Sequence, residues 1–223
     1  MPPGYSDRIN HALAFAAKHH DRQVRKGTRL PYLTNAANVA VILARYDQDE
    51  STVVAGILHD VVEDCVGENY TGEMLEQRIG TKFGADVLDA VLGVTQRRRD
   101  DDGIEFSAEE RRDDVLERLR RAKPAGLWVC AADALHNAHT ILSDLRRTVE
   151  PDTVWNRFAA GQDGTVRWYR AVHDRLRAVG FDAPIVDELR ESVESLERWT
   201  DAGEALRSAV FGGGEEDATG VSA

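Results

Sequence analysis

The sequence predicts an all-α protein, and three observations carry that expectation. Apolar residues recur at i, i+3, i+4 and i+7 through most segments, with Val54, Ile57, Leu58, Val61 and Cys65 as the clearest stripe. No stretch shows strand-like alternation, and no internal repeat or sustained heptad points to a solenoid or coiled coil. Helix punctuation is frequent: Ser107 and Glu110 make a capping-box signature, while Pro124 and Pro151 each mark a fresh start.

Taken in order, Asp7 to His20 is amphipathic through Ile9, Leu13, Phe15 and Ala16. A basic run from Asp21 to Tyr32 follows, punctuated as a loop by Gly27 and Pro31. The next helix spans about Asn35 to Tyr46. The Val54–Cys65 stripe then reads as one continuous helix, capped by Asp49 or Ser51. Thr71 starts a helix through Met74, Leu75 and Ile79, and another covers about Ala85 to Val94. Gln96 to Phe106 is densely charged and is expected to be the most mobile segment. The Ser107 helix ends before Pro124, and a longer one runs from Leu127 to about Arg146. Pro151 restarts a helix carrying Trp155 and Phe158. Two more, about Gly164 to Val179 and Ala183 to Leu206, precede a Gly212–Asp217 tail expected to be disordered.

With 223 residues the chain can bury a substantial core. A hydrophobic content of 42% beside 30% charged residues is that of an ordinary soluble protein. The net charge of −11 argues against a general nucleic-acid binder, because no field draws a polyanion in. A phosphorylated ligand would need a local basic pocket. Cys65 and Cys130 both fall in apolar helical patterns, as small core residues of a reducing compartment do. The N-terminal residues lack signal-peptide character and no run approaches transmembrane length, so a cytoplasmic location without membrane association is expected.

The chemistry concentrates in two polar islands. His59, Asp60, Glu63 and Asp64 sit at i, i+1, i+4 and i+5 and share an arc of roughly 140° at helical pitch. Three carboxylates and an imidazole among apolar neighbours repel one another and cost desolvation unless something compensates. A divalent metal is the simplest compensation, and a solvated polar face is the plainer alternative. The second island is Asp133 with Asn137, one turn apart on another apolar helix. Asp133 there wants a cation, which a metal or any nearby arginine can supply. Arg25 and Lys26 lie in the basic loop, where a phosphate pocket and a solvated surface are equally compatible readings.

His59-Asp60-Val61-Val62-Glu63-Asp64, preceded by Ala55 to Leu58 and followed by Asp133-Ala134-Leu135-His136-Asn137, resembles the HD-domain metal-dependent phosphohydrolases. More narrowly, the pattern is similar to the small alarmone hydrolases and to the hydrolase domain of bifunctional (p)ppGpp synthetase/hydrolases. The likeness begins near Phe15, passes through Arg25-Lys26-Gly27 and Pro31-Tyr32, and runs to about Arg146. Trp155 to Tyr169 also resembles a C-terminal extension of uncharacterised bacterial members. The resemblance implies a single helical HD domain over residues 7–147, a helical extension packed on it over 148–208, a flexible stretch at 1–6 and a disordered acidic tail at 209–223.

It further implies one divalent ion, Mn²⁺ before Fe²⁺, Zn²⁺ or Mg²⁺, held by His59, Asp60 and Asp133, with Asn35 as the candidate fourth ligand. Glu63 and Asp64 take the place of the acidic pair that activates water. Arg25, Lys26, Tyr32 and Asn137 take substrate-binding positions, for a small phosphorylated nucleotide. A second copy of the chain stays open as a partner. Two positions depart from the pattern. Asn35 stands where the first His ligand is expected, and an amide oxygen is the weaker ligand for such metals. Ala134 stands where a Lys or Arg usually follows the Asp. No His lies between Asp60 and His136, which argues against a di-iron oxygenase and for a mononuclear site. His19 and His20 read as surface imidazoles at a helix end. The resemblance thus implies a (p)ppGpp-type pyrophosphohydrolase. The Asn35 departure keeps open a catalytically impaired nucleotide sensor, and a pathway-specific nucleotide phosphatase is a third reading.

Overall fold

The computed structural model describes residues 5–211 apart from 68 and 101, with side chains described as far as 200. The Gly212–Asp217 tail lies outside the described residues. Eleven α-helices are formed among them: α1 Asp7–His19, α2 Leu33–Arg45, α3 Glu50–Leu58, α4 Val61–Asp64, α5 Gly72–Phe83, α6 Ala85–Val94, α7 Ala108–Arg118, α8 Pro124–Arg147, α9 Asp152–Trp155, α10 Gly161–Ala178 and α11 Pro184–Phe211. No strand occurs among the described residues, only isolated bridges such as Val24–Pro31, so the all-α expectation holds.

Helix starts follow side-chain capping. The Ser6 hydroxyl accepts from the Ile9 N–H, the Asp49 carboxylate from Thr52 and the Thr71 hydroxyl from Met74. Ser107 and Glu110 complete the capping box in both directions. Pro124 occupies the first turn of α8, where its missing N–H leaves no bond unmade.

α8 is the central helix and packs against α2, α3, α6, α10 and α11. Its small residues Ala131, Ala132, Ala134 and Ala138 are buried and let those neighbours approach closely. α2 and α3 meet through Gly56, where a Cβ would run into the Leu43 side chain. Leu43 itself is completely buried. Leu43→Ala should therefore cost about 2–5 kcal/mol of stability, read as an earlier urea midpoint with an unchanged slope. A loss below about 1 kcal/mol would contradict this packing account.

The stripe read as one helix is two. α3 ends at Leu58, and the chain passes through Asp60 at φ −94°, ψ −4° before resuming as α4. At the break the His59 ring Nδ1 bonds the Gly56 carbonyl at 2.8 Å, in competition with the helical backbone ladder. A second correction concerns His20, which is buried rather than a surface imidazole. It stacks on Tyr32 with ring centroids 4.8 Å apart and bonds Gln23 at 2.6 Å. Neighbouring His19 is half-buried between Phe15 and Tyr70. Cys65 and Cys130 are both free thiols, as expected. The charged 96–106 segment folds into a turn: Asp100 accepts from the Asp102 and Ile104 amides, and Gly103 supplies the positive φ of 81°. No helix among the described residues is long and apolar enough to cross a membrane.

Candidate metal centre and active site

The broken helix re-aims His59 and Asp60 toward α8. His59, Asp60 and Asp133 each present a ligand atom, all within 4.8 Å of one another. His59 is buried, with its Nε2 2.9 Å from Asp60 Oδ2 and 3.4 Å from Asp133 Oδ1. Neither approach has hydrogen-bond geometry, so this buried Nε2 is left without a partner. The Gly56 carbonyl on the other side accepts a hydrogen bond from Nδ1–H and so favours the tautomer whose Nε2 lone pair faces the carboxylates.

Asn35, on α2, is also fully buried. Its amide nitrogen points to Asp133 Oδ1 at 3.1 Å, His136 Nδ1 at 3.2 Å and Asn137 Oδ1 at 3.3 Å. Its Oδ1 is the second buried polar atom here without a partner. Two orphaned lone-pair atoms beside two carboxylates are what a cation would satisfy. The residues present therefore fit a divalent metal.

Charge follows the same geometry. Burial works to lower the His59 pKa, but Asp60 and Asp133 outweigh it and hold it well above the usual value. The two carboxylates thus favour positive charge beside this imidazole. Burial tends to raise Asp133, yet His59 and Asn35 pull it down to about 2. Burial and then Asp60 push Glu63 up to about 8, and the same two causes raise Asp64. Burial and the Arg25 charge lower His136 to about 4, keeping it a neutral acceptor for Asn35.

Supporting contacts tie the loop to the cluster. The Tyr32 hydroxyl donates to Asp60 Oδ2 at 2.6 Å, and burial with the Asp60 charge raises its pKa so that it stays a donor. Arg25 donates to Asn137 Oδ1 at 2.6 Å, and Asn137 Nδ2 donates to Asp133 Oδ1 at 2.8 Å. Glu63 Oε2 accepts from the Gln96 amide at 2.8 Å. Tyr32→Phe should weaken divalent-metal affinity roughly 10–100-fold in a calorimetric titration. An unchanged affinity would show that the phenol does not orient Asp60.

These groups line one cavity of about 600 Å³. All the expected site residues except Asn35 are on its wall: Arg25, Lys26, Tyr32, His59, Asp60, Glu63, Asp64, Asp133 and Asn137. Ala134 is buried in the same wall, which carries no cation at that point. Sequence reasoning missed the contributions of Arg98, Arg111 and Arg112, of the Asp144–Arg157 pair at 2.5 Å, and of Trp168 and Tyr169 from α10. Gly27 packs under Arg157, joining the basic loop to the segment after α9.

Residues 12–166 match the HD domain family. Among curated proteins, a GTP pyrophosphokinase of Myxococcus xanthus is 31% identical over 138 residues, 60% of this chain and 17% of its own length. A guanosine-3′,5′-bis(diphosphate) 3′-pyrophosphohydrolase of Aquifex aeolicus is 37% identical over 94 residues, 42% of this chain and 12% of its own. The chain thus spans less than a fifth of these two relatives. Among solved structures, a metazoan ortholog of SpoT described as hydrolysing ppGpp superposes with a TM-score of 0.62 at 25% identity. That match covers 88% of this chain and 97% of the other. A Listeria monocytogenes protein gives 0.60 at 28%, covering 73% and 97%. The His59-Asp60 break, the distal Asp133 and the family match over most of the chain agree, and the chain belongs to the HD domain family.

Proposed function

We propose that this chain is a metal-dependent pyrophosphohydrolase of guanosine 3′-diphosphate nucleotides, (p)ppGpp being the substrate class, with Mn²⁺ as its metal. One observation carries the reading: the unpartnered His59 Nε2 held between Asp60 and Asp133, at the wall of a cavity that also presents Glu63, Arg25 and Lys26. The similarity to proteins named for that hydrolysis supports the choice of substrate.

A donor set of one imidazole, two carboxylates and an amide oxygen is oxygen-rich, which suits Mn²⁺ better than Zn²⁺. A divalent ion at His59, Asp60 and Asp133 would act as a Lewis acid, making water nucleophilic near neutral pH. Glu63 has one oxygen fixed by the Gln96 amide, leaving Oε1 to take the proton of an attacking water. Asp64, one residue on, orients that water. Arg25 and Lys26 offset phosphate charge, and Arg25 is aimed by its bond to Asn137. Tyr32 acts through Asp60, while Asn35 steadies Asp133 with its amide nitrogen and keeps its Oδ1 for the metal.

Pyrophosphate release from guanosine 3′,5′-bis(diphosphate), with and without added Mn²⁺, tests the proposal. Turnover that needs Mn²⁺ and disappears in Asp60→Ala is expected. Tight nucleotide binding without turnover would favour the sensor reading instead, and release from other nucleotides alone would favour a different phosphatase.

A further inference from the structure

Several arginines that join one element to another are paired with acids: Arg45 with Glu188, Arg97 and Arg118 with Asp114, Arg157 with Asp144, and Arg170 with Glu197. Arg98, Arg111 and Arg112 line the cavity, and among the described residues none of them has a carboxylate within ion-pair distance. Several of the nearby acids are engaged elsewhere. On α7, Glu110 closes the capping box and Asp114 holds Arg97 and Arg118. Of the cavity acids, Asp60 and Asp133 face His59, Glu63 accepts from Gln96, and Asp144 holds Arg157.

Arg112 is also held in place. Its guanidinium reaches the Gly164 carbonyl at 3.5 Å and lies 5.6 Å from the centre of the Trp168 ring. α10 therefore braces α7 at this wall. These cations stand on α7 and on the loop before it, whereas the metal-ligand cluster stands on the α3–α4 break and α8. Arg25, by contrast, is bonded into the Asp133 network through Asn137. Arg25 and the group Arg98, Arg111 and Arg112 thus reach the same cavity from different elements. Unpaired guanidinium groups in a protein of charge −11 hold a region of favourable potential for an anion.

We propose that Arg98, Arg111 and Arg112 form a second anion subsite, which takes the diphosphate that is not cleaved and so makes the enzyme selective for nucleotides carrying two separated diphosphates. This rests on the pyrophosphohydrolase reading for the identity of the nucleotide. The subsite binds and orients its group and takes no part in bond breaking.

The test compares wild type with Arg111→Gln/Arg112→Gln, which keeps side-chain length and polarity. Two substrates are used: guanosine 3′,5′-bis(diphosphate), and guanosine 3′-diphosphate, which lacks the second group. The double variant should raise KM for the first by at least about tenfold, as loss of charged hydrogen bonds predicts. Its kcat should stay near wild type, and KM for the second substrate should not change. An unchanged KM for the bis(diphosphate), or an equal rise for both substrates, would overturn the subsite. In parallel, both nucleotides are titrated by calorimetry onto Glu63→Gln and onto Glu63→Gln/Arg111→Gln/Arg112→Gln. If wild type turns over neither nucleotide, this binding pair decides. An affinity gap confined to the bis(diphosphate) upholds the subsite while the hydrolase reading fails, and no gap sinks both.

Discussion

Glu63→Gln should lower pyrophosphate release by about 10²–10⁴-fold while leaving divalent-metal affinity nearly unchanged. That fall corresponds to roughly 3–5 kcal/mol of barrier. The split follows from the position of the side chain. Glu63 is one turn beyond Asp60, outside the cluster of close ligand atoms, and one of its oxygens is fixed by the Gln96 N–H. The amide that replaces the carboxylate could still accept from that N–H through its carbonyl oxygen, so the geometry should persist. What disappears is an oxygen able to take a proton. A parallel loss of metal binding in the same variant would instead make Glu63 a ligand, and full activity would remove it from the reaction.

Asn35→His should tighten Mn²⁺ binding by about tenfold or more, since an imidazole is the stronger donor for such metals. At limiting Mn²⁺ the variant should therefore turn over faster than wild type, with the advantage vanishing at saturation. The position is buried against Asp133, and its own oxygen has no partner. An imidazole would lose the Asn35 bonds to His136 and Asn137, a cost that the metal contact must exceed. Unchanged affinity would mean that the residue at 35 only positions Asp133. A variant active where wild type is inactive would identify Asn35 as the change that silenced the site.

The helices were legible because their signals are local. Capping residues Asp49, Thr71 and Ser107 and the α8 start at Pro124 are written in the neighbouring residues themselves. The break at His59 was not legible, because its cause is a side-chain bond back to Gly56 inside an unbroken apolar stripe. The burial of His20 likewise depends on Tyr32, twelve residues on, folding over it. For the site, the His59-Asp60 and Asp133-Asn137 islands were visible as polar groups among apolar ones. The cations of α7 were not, since an Arg in a charged helix carries no mark of which way it faces. Only the packing of α10 on α7, through Arg112 and Trp168, turns that charge into a cavity wall. The bond from the Tyr32 hydroxyl to Asp60 is set by the path of the basic loop and is equally unmarked in the sequence, while the residue also lines the cavity.

Everything proposed for the reaction depends on His59, Asp60 and Asp133 holding a divalent ion. Anomalous diffraction from crystals grown with Mn²⁺ is the decisive experiment. One peak per chain is expected, between His59 Nε2 and the two carboxylates. A crystal saturated with Mn²⁺ that shows no peak there, or only a peak elsewhere on the surface, would contradict the metal site and the hydrolase built on it.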